Sequence, residues 1–285
     1  GAVGGWVFSR GSGIFQFGGG AAGGGTVSRQ DVRLFFSRSI GLSDNGGAIP
    51  ILGGTRLTGR QGAYSVGVLN IQQREGADQP GANFTALRVR RNILGNSDIG
   101  AMLLNKDQSG AHFNRVAGVD ANFRFGFLAL NGSVAKTFSP ESVTLTGGNA
   151  YSTRAAFDYV NRTWQLTATA SGIGQRFHDE MGFVPRQGVN NFDGRFGPRW
   201  RPVALSRWLR QMQPHWEYDV YTRQNTGNLE SSYQGYHWNF NFQDGSNAEV
   251  GWNPIVEDIP VAFTLNNARG INVNPGRYEF AEYFV

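Results

Sequence analysis

Hydrophobic and polar residues alternate almost without interruption between residues 232 and 243. Aromatic side chains take one parity and polar side chains the other: Tyr236, Trp238, Phe240 and Phe242 against His237, Asn239, Asn241 and Gln243. Successive side chains of a β-strand point to opposite faces. The period of two therefore predicts a strand with one aromatic face and one polar face.

The same alternation recurs along most of the chain in segments of about ten residues, the length of a tilted strand that crosses a bilayer. We predict strands at residues 56–61, 64–74, 84–93, 99–106, 116–125, 128–137, 151–160, 163–171, 215–223, 232–243 and 247–253. Short turns separate many of them, and longer polar connections lie at residues 76–82, 139–148 and 177–191. Only residues 203–212 carry a helical period, and we expect one or two helical turns there. The pattern predicts an all-β, antiparallel up-and-down architecture.

An apolar strand face can turn toward lipid in a transmembrane β-barrel or toward the core of a soluble sandwich or propeller. Charged residues occur in mid-strand on the polar face. They favour the barrel, because the lumen of a wide barrel is filled with water. Aromatic residues near the ends of segments also favour it, since Tyr and Trp suit the membrane interface. These residues are Tyr64, Phe84, Tyr151, Tyr159, Trp164, Trp216 and Trp252. We favour the transmembrane β-barrel and keep the soluble fold as the alternative.

Composition fits a β-barrel in lipid and also a Gly-rich β-sandwich, and it excludes a helical membrane protein. Charged residues make up 16% of the chain, and 41 of 285 residues are glycine, against about 25% and about 7% in average proteins. The mean hydropathy of −0.35 is too polar for transmembrane helices. The absence of cysteine fits an oxidising compartment without requiring one. The net charge is +5, but the arginines are scattered rather than clustered in a stripe, so we expect no nucleic-acid partner.

The first thirty residues differ in composition from the rest. They contain a Gly-rich tract at residues 18–25. No Gly-Lys-Ser/Thr sequence follows this tract, which argues against a phosphate-binding loop. We predict a Gly-rich lead-in or linker at residues 1–30 and a β-barrel domain at residues 31–285.

Charged side chains on the polar parity are the candidates for ligand contact in a lumen: Arg88, Arg90, Asp120, Arg124, Arg154, Asp158, Glu217 and Asp219. Arginine forks bind carboxylate, phosphate or sulfate groups, so the ligand would be an anionic solute. Internal pairing between these arginines and carboxylates is the alternative, and we favour it.

Signals for catalysis or metal binding are weaker. His178, Asp179 and Glu180 are adjacent, but neighbouring side chains on an extended chain point apart, and we interpret this run as a solvated loop tip. His112, His215 and His237 are isolated in sequence, and we predict no metal and no cofactor. Glu217 and Asp219 share a face at a spacing that glycoside hydrolysis could use, but alternating lumen charges produce such pairs routinely. We assign no catalytic residue and favour a non-enzymatic protein.

Several longer motifs resemble one family. They are FFSRSIGL at residues 35–42, IPILGGTRLTGR at 49–60, VLN at 68–70, NFTALRVRR at 83–91, NRVAGVDANFRF at 114–125, GFVPR at 182–186 and PGRYEF at 275–280. In order and number they resemble the uncharacterised bacterial outer-membrane β-barrel family whose members carry an N-terminal domain similar to family-nine carbohydrate-binding modules. The matches run from about residue 15 to residue 278, nearly the whole chain.

The resemblance implies an outer-membrane barrel in a Gram-negative-type envelope and a link to glycans. It also implies that the chain is the first part of the barrel and lacks the C-terminal strands. No catalytic residue can be carried over, because the family has no settled activity. The Gly-rich tract at residues 18–25 is longer than is usual in the family.

The sequence therefore predicts an outer-membrane β-barrel protein that acts as a channel or as a component of an uptake or surface-binding system. Its partners would be outer-membrane lipid and a glycan or small anionic solute, and the sequence does not specify an oligomeric state. The alternative function is that of a soluble or surface β-domain that binds or hydrolyses polysaccharide.

Overall fold

Antiparallel strands dominate the computed structural model, which describes residues 12–18, 32–43, 47–76, 80–108, 112–140, 148–266 and 270–285. The strands are β1 (Ile51–Gln61), β2 (Tyr64–Gln73), β3 (Ala82–Ile93), β4 (Ser97–Gln108), β5 (Phe113–Phe125), β6 (Leu128–Phe138), β7 (Tyr151–Val160), β8 (Trp164–Ile173), β9 (Val189–Pro198), β10 (Leu209–Arg223), β11 (Leu229–Phe242), β12 (Asn247–Ile259), β13 (Phe263–Asn266), β14 (Ile271–Val273) and β15 (Gly276–Phe284). Short 3₁₀ helices cover Ser12–Phe15, Ser37–Ser39 and Val203–Leu205. Within the described ranges, none of the helices has the length and apolar character needed to cross a membrane.

Within the described ranges, thirteen strands form one sheet of simple connectivity. Each strand from β1 to β12 lies next to its neighbour in the chain, and β15 then pairs antiparallel with β12. The hairpin of β13 and β14 forms a separate two-stranded sheet. The all-β, antiparallel up-and-down prediction is confirmed.

Tight turns connect strands where the sequence predicts them. Residues 62–63 join β1 to β2, and residues 126–127 join β5 to β6. Gly62 and Gly126 have φ values of 57° and 60°, in the left-handed region that glycine enters without steric cost. Two-residue hairpin turns need this conformation because it matches the twist of the flanking strands.

The prediction of one or two helical turns at residues 203–212 is confirmed for the first residues and wrong for the rest. Only Val203–Leu205 form a short 3₁₀ turn, and β10 begins at Leu209. Met212 pairs with Phe240 of β11 and bridges to Trp200. Strand pairing therefore uses the apolar side chain that had suggested a helical period.

Strand β9 lies entirely outside the predicted strands, and its first residues fall in the predicted connection at 177–191. Its sequence is rich in Asn, Asp and Gly, which are depleted in strands generally. Pairing with β10 holds it in place, with Glu217 opposite Arg195 and Asp219 opposite Asp193. Tertiary context overrides local propensity in this strand.

The chain divides into two compact units. Unit 1 contains the described residues up to 155 together with residues 171–188, and unit 2 contains the described residues of 156–170 and 189–285. In unit 1, one face of β2–β6 is buried, with Leu69, Ile71, Phe84, Met102 and Val116 in its core. Phe84 belongs to this buried face, so its prediction as an interfacial aromatic is wrong. In unit 2, Val189, Leu209 and Tyr221 are the buried apolar residues of β9 and β10.

Gly194 of β9 lies where the backbone of β8 approaches closely. A Cβ atom at this position would lie 2.4 Å from the carbonyl oxygen of Thr167 and 2.8 Å from the Tyr218 hydroxyl. We expect Gly194→Ala to lower the free energy of unfolding by about 1–3 kcal/mol, because the backbone must shift to admit the methyl group. Equilibrium denaturation of the refolded chain measures the change.

Gly59→Ala in β1 is the matched control, since no atom lies within 4 Å of a Cβ at that position. It should leave stability unchanged or raise it by about 0.4–1 kcal/mol. Equal stability of the two variants would contradict the packing of β9 described above.

Candidate functional site

The strands carry large apolar side chains on their exposed face, whereas the buried face combines polar and charged residues with the apolar core. In the middle of β5, Val119 is 60% exposed, whereas Asp120 on the other face is 5% exposed. The same arrangement holds in unit 2, where Trp238 of β11 is 55% exposed and the polar residues His215 and Glu217 of β10 are buried. The candidate site is therefore the buried polar face, in each unit taken separately.

An ion pair between Arg88 of β3 and Asp120 of β5 lies at the centre of the polar face of unit 1. The guanidinium donates from Nη1 to Oδ1 at 2.6 Å and from Nη2 to Oδ2 at 2.8 Å. The side chain of Arg88 is 0% exposed. It reaches across the intervening strand β4 at Gly100, where a Cβ atom would lie 2.7 Å from its Nη1 atom. The absence of a side chain at Gly100 makes the bidentate pair possible.

Residues 13–18 cover this ion pair. The amide of Gly18 donates to Asp120 Oδ2 at 3.2 Å, and the Arg88 guanidinium lies 5.5 Å from the centre of the Phe17 ring. Phe17 packs on Gly118, where a Cβ atom would lie 2.6 Å from its ring. These residues fall within the segment predicted as a lead-in or linker, and residues 1–11 and 19–30 of that segment lie outside the described residues.

The remaining predicted site residues of unit 1 have separate environments. Arg90 binds Asp98, with Nη2 2.7 Å from Oδ2, and both side chains are partly exposed. Arg154 donates to the carbonyl oxygen of Gly18 at 3.4 Å. Arg124 is exposed near the end of β5. The structure thus brings Arg88, Asp120 and Arg154 around Gly18 and leaves Arg124 apart.

The predicted site residues of unit 2 also have protein partners. Glu217 of β10 contacts Arg195, whose Nε donates to Oε1 at 2.5 Å. Asp219 accepts a hydrogen bond from Asn191 at 2.5 Å. Asp158 is half-buried on β7 and also interacts with another group of the protein. Internal pairing, the alternative that the sequence favoured, describes the arginine–carboxylate contacts at Arg88, Arg90 and Glu217. The ligand-contact role of all eight residues stays a prediction.

The connection at residues 174–188 packs on the ends of β4, β5 and β6 in unit 1. Glu180 accepts from Lys106 Nζ at 2.6 Å, and its Oε1 lies 2.9 Å from His112 Nε2. Asn114 donates to the carbonyl oxygen of His178 and accepts from the amide of Glu180. Burial disfavours the charged form of Glu180, but the hydrogen bond and charge of Lys106, together with His112, hold its pKa below the ordinary value.

Asp179 lies inside this connection rather than in solvent. Its Oδ1 accepts from the amide of Met181 at 3.0 Å, and Phe177 and Met181 beside it are fully buried. Burial raises the pKa of the Asp179 carboxyl well above its ordinary value, although the Met181 and Gly182 amides act in the opposite direction. The interpretation of residues 178–180 as a solvated loop tip is therefore wrong, because apolar neighbours anchor the segment.

Unit 2 brings together two histidines that are isolated in the sequence. His215 of β10 and His237 of β11 are directly paired across the strands, and their ring centres are 5.0 Å apart. His237 Nδ1 lies 3.1 Å from Glu249 Oε1, and His215 Nε2 lies 3.2 Å from Glu217 Oε1. His215, His237 and Glu249 each place one potential ligand atom within 4.8 Å of the others. These are the described residues that could hold a metal ion.

Sequence reasoning missed this cluster, although a signal for it exists. Both histidines occupy the polar parity of strands that form one hairpin, with its turn at residues 224–228. Counting equal numbers of residues outward from the turn places His215 opposite His237. The count agrees with the observed pairing, although a bulge lies between Tyr221 and Thr222.

Comparisons with known proteins add one remote similarity. No protein-family model matches the sequence, and no curated protein matches it. Among solved structures, the chain is similar to the crystal structure of Pseudomonas aeruginosa OccK9 (OpdG), with 12% identity and a TM-score of 0.40. The similarity covers 81% of this chain, which spans 66% of the length of that structure. A similarity this remote carries no argument about activity, ligand or location.

Neutralising Asp120 should strongly destabilise unit 1. Asp120→Asn leaves the guanidinium of Arg88 buried without a counter-charge, and we expect a loss of about 3–5 kcal/mol in the free energy of unfolding. The double variant Arg88→Met/Asp120→Asn removes both charges and should recover much of the loss. Denaturant titration of the three proteins measures both effects.

Asp98→Asn is the control for Asp120→Asn, because its pair with Arg90 is partly exposed to solvent. Exposed pairs contribute about 0–1 kcal/mol. A loss at Asp98 equal to the loss at Asp120 would contradict the central role of the buried pair.

Asp179 and Glu180 should change stability with pH in opposite directions. The folded state raises the pKa of Asp179, so its protonated form stabilises the fold at low pH, and this contribution is lost as the pH rises through the folded pKa. We therefore expect Asp179→Asn, which keeps an oxygen acceptor for the Met181 amide, to raise the melting temperature at pH 8 relative to the wild-type chain. The difference should vanish near pH 4. Thermal melting followed by tryptophan fluorescence measures it.

Glu180→Gln is the neighbouring variant with the opposite sign. The folded state lowers the pKa of Glu180 from 4.5, so its charged form stabilises the fold above that pH and is lost as the pH falls through the folded pKa. The variant should melt at a lower temperature than the wild-type chain at pH 8, by roughly 2–4 °C per kcal/mol lost. Identical pH profiles for the two variants would contradict both assignments.

Proposed function

We propose that this chain is an outer-membrane β-barrel protein of a bacterial envelope, acting as a channel or as a component of an uptake or surface-binding system. The exposure of large apolar side chains on the strand faces carries the proposal. Val119 is exposed in the middle of β5 while Asp120 beside it is buried in an ion pair. Water would favour the reverse arrangement, whereas lipid favours apolar side chains outside and polar side chains inside.

The apolar exposure continues across most strands and supports a lipid-facing surface. Each of these residues is a large hydrophobic side chain on the outer parity of its strand: Ile99 and Leu103 of β4, Leu130 and Val134 of β6, Phe157 of β7, Phe192 and Phe196 of β9, Trp216 of β10, Tyr236 and Trp238 of β11, and Val250 and Trp252 of β12. Soluble proteins rarely expose so many large hydrophobic side chains in one region. Lipid contact gives this pattern a direct physical reason.

The covered polar face of unit 1 favours an uptake or surface-binding component over an open channel. Phe17 and Gly18 lie over the ion pair of Arg88 and Asp120, and Arg88 has no solvent-exposed surface. Residues 174–188 pack on the ends of β4 and β5, through the contacts of Glu180 with Lys106 and of Asn114 with His178. A solute that crosses this part of the molecule must displace segments of the chain itself. The link to glycans rests on the sequence resemblance alone.

A charged residue on the proposed lipid face tests the membrane location. We expect Val119→Arg to lower the free energy of unfolding in phospholipid vesicles by about 2–4 kcal/mol, the cost of placing Arg near the bilayer midplane on a barrel surface. If the chain is a soluble β-domain, Val119 faces water, and the same substitution should change stability by less than about 0.5 kcal/mol. Guanidinium titration of the vesicle-refolded chain measures the difference.

Val203→Arg is the matched control, because Val203 is 87% exposed in the connection between β9 and β10. It should leave the free energy of unfolding unchanged in either environment. A chain that folds in buffer without lipid or detergent, together with a neutral Val119→Arg variant, would overturn the proposal in favour of the soluble domain.

A further inference from the structure

Both imidazoles of the histidine pair in unit 2 have one nitrogen already committed to an oxygen acceptor. His215 Nδ1 lies 3.1 Å from the carbonyl oxygen of Gln213, and His237 Nε2 lies 2.7 Å from Asn253 Oδ1. A carbonyl oxygen can only accept a hydrogen bond, so these nitrogens carry the protons. In each neutral ring the other nitrogen then presents a lone pair.

The two lone pairs face negative charge. His237 Nδ1 lies 3.1 Å from Glu249 Oε1, and His215 Nε2 lies 3.2 Å from Glu217 Oε1. A lone pair and a carboxylate oxygen repel each other at such distances, unless a cation or a second proton on the ring lies between them. Arg195 already engages the Glu217 oxygen beside His215, so the contact between His237 and Glu249 is the one where a cation would remove the repulsion.

His215 has a buried ring nitrogen that the protein leaves unfilled. Its side chain is 2% exposed, yet its Nε2 atom has no hydrogen-bond partner among the residues that the structure describes. The nearby Glu217 oxygen therefore does not receive a well-directed N–H bond from it.

We propose that His215, His237 and Glu249 form a binding site for a divalent transition-metal ion, with Zn²⁺ as the best match. Two imidazole nitrogens and a carboxylate oxygen are ligands that Zn²⁺ prefers. Ligand atoms around tetrahedral zinc are separated by roughly 3.3 Å, as follows from bond lengths of about 2.0–2.2 Å. The three atoms here already lie within 4.8 Å of one another, so small side-chain rotations complete the approach.

The surroundings of the cluster match those of metal-binding histidines. Ligating imidazoles donate their second N–H to a carbonyl or carboxylate oxygen, which fixes the tautomer and the ring orientation. Gln213 and Asn253 fill this role here. Arg195 engages Glu217, so the charge of Glu217 is already balanced and Glu249 supplies the anionic ligand.

The cluster can be reached from solvent and has space around its side chains. The Glu249 side chain is 36% exposed, which gives a route from solvent to the cluster. Gly235 leaves room beside His237, because a Cβ at this position would lie 3.0 Å from Nε2. The ring of Phe284 makes an edge contact with His237 on the other side. The site rests on the cross-strand geometry of unit 2 and does not depend on the membrane location.

Metal titration of the full chain, carrying no polyhistidine tag and stripped with EDTA, tests the proposal. We expect Co²⁺ to give a visible absorption band from nitrogen and oxygen ligands, and Zn²⁺ to abolish that band by competition. His237→Gln and Glu249→Gln should each weaken Zn²⁺ binding by about 100-fold or more. Asn253→Ala, which removes only the orienting acceptor, should weaken it by about 10–100-fold. Because Glu249 is partly exposed, Glu249→Gln keeps the test valid even if a histidine variant fails to fold.

His112→Gln is the control, since His112 also lies beside a glutamate but in unit 1. It should bind Zn²⁺ as the wild-type chain does. The proposal is overturned if the wild-type chain binds neither metal below about millimolar concentration at neutral pH, or if Glu249→Gln binds with undiminished affinity. Equal weakening by His112→Gln would also overturn it, because the metal would then bind without using this cluster.

Discussion

The buried ion pair of Arg88 and Asp120 is the constraint on which the structure of unit 1 depends. A buried charge is tolerated only when its partner and its hydrogen bonds are in place. This requirement explains why position 100 of β4 is a glycine, which leaves space for the Arg88 side chain to cross the strand. It accounts for the hydrogen bond from the Gly18 amide to Asp120 Oδ2. It also explains why residues 13–18 pack on the sheet. The polar face of unit 1 is thus a packed interior, in which the chain itself excludes water from the charges.

Unit 2 satisfies its buried polar groups differently. Among its described residues, cross-strand contacts between neighbouring strands pair these groups, as for Arg195 with Glu217 and for Asn191 with Asp219. In the histidine cluster, His215 Nε2 is buried without a hydrogen bond among the described residues, as is Arg199 Nε elsewhere in unit 2. Native proteins leave few such atoms. An unsatisfied atom beside two carboxylates is therefore more informative about binding than the paired arginines that dominate the sequence.

The period of two predicted most strands and the face that each residue occupies. Residues 116–125 were assigned with Asp120 and Arg124 on one face, and the burial of β5 follows that parity as far as Asn122, whereas Arg124 is exposed. The last residue of a strand was harder to predict where the strand contains a proline. Strand β12 was expected to end at residue 253, but it continues through Pro254, which pairs with Ala281 of β15. Local sequence cannot reveal that a later strand will extend an earlier one.

The candidate site was less predictable than the fold, because it depends on register. Arg88 and Asp120 were both assigned to the polar face, but their pairing requires the alignment of three strands and the glycine between them. His215 and His237 were each judged isolated, since their separation along the chain hides their cross-strand pairing. A one-residue change of register would move every side chain of a strand to the other face. Parity therefore predicts which residues can meet, and the strand register decides which of them do.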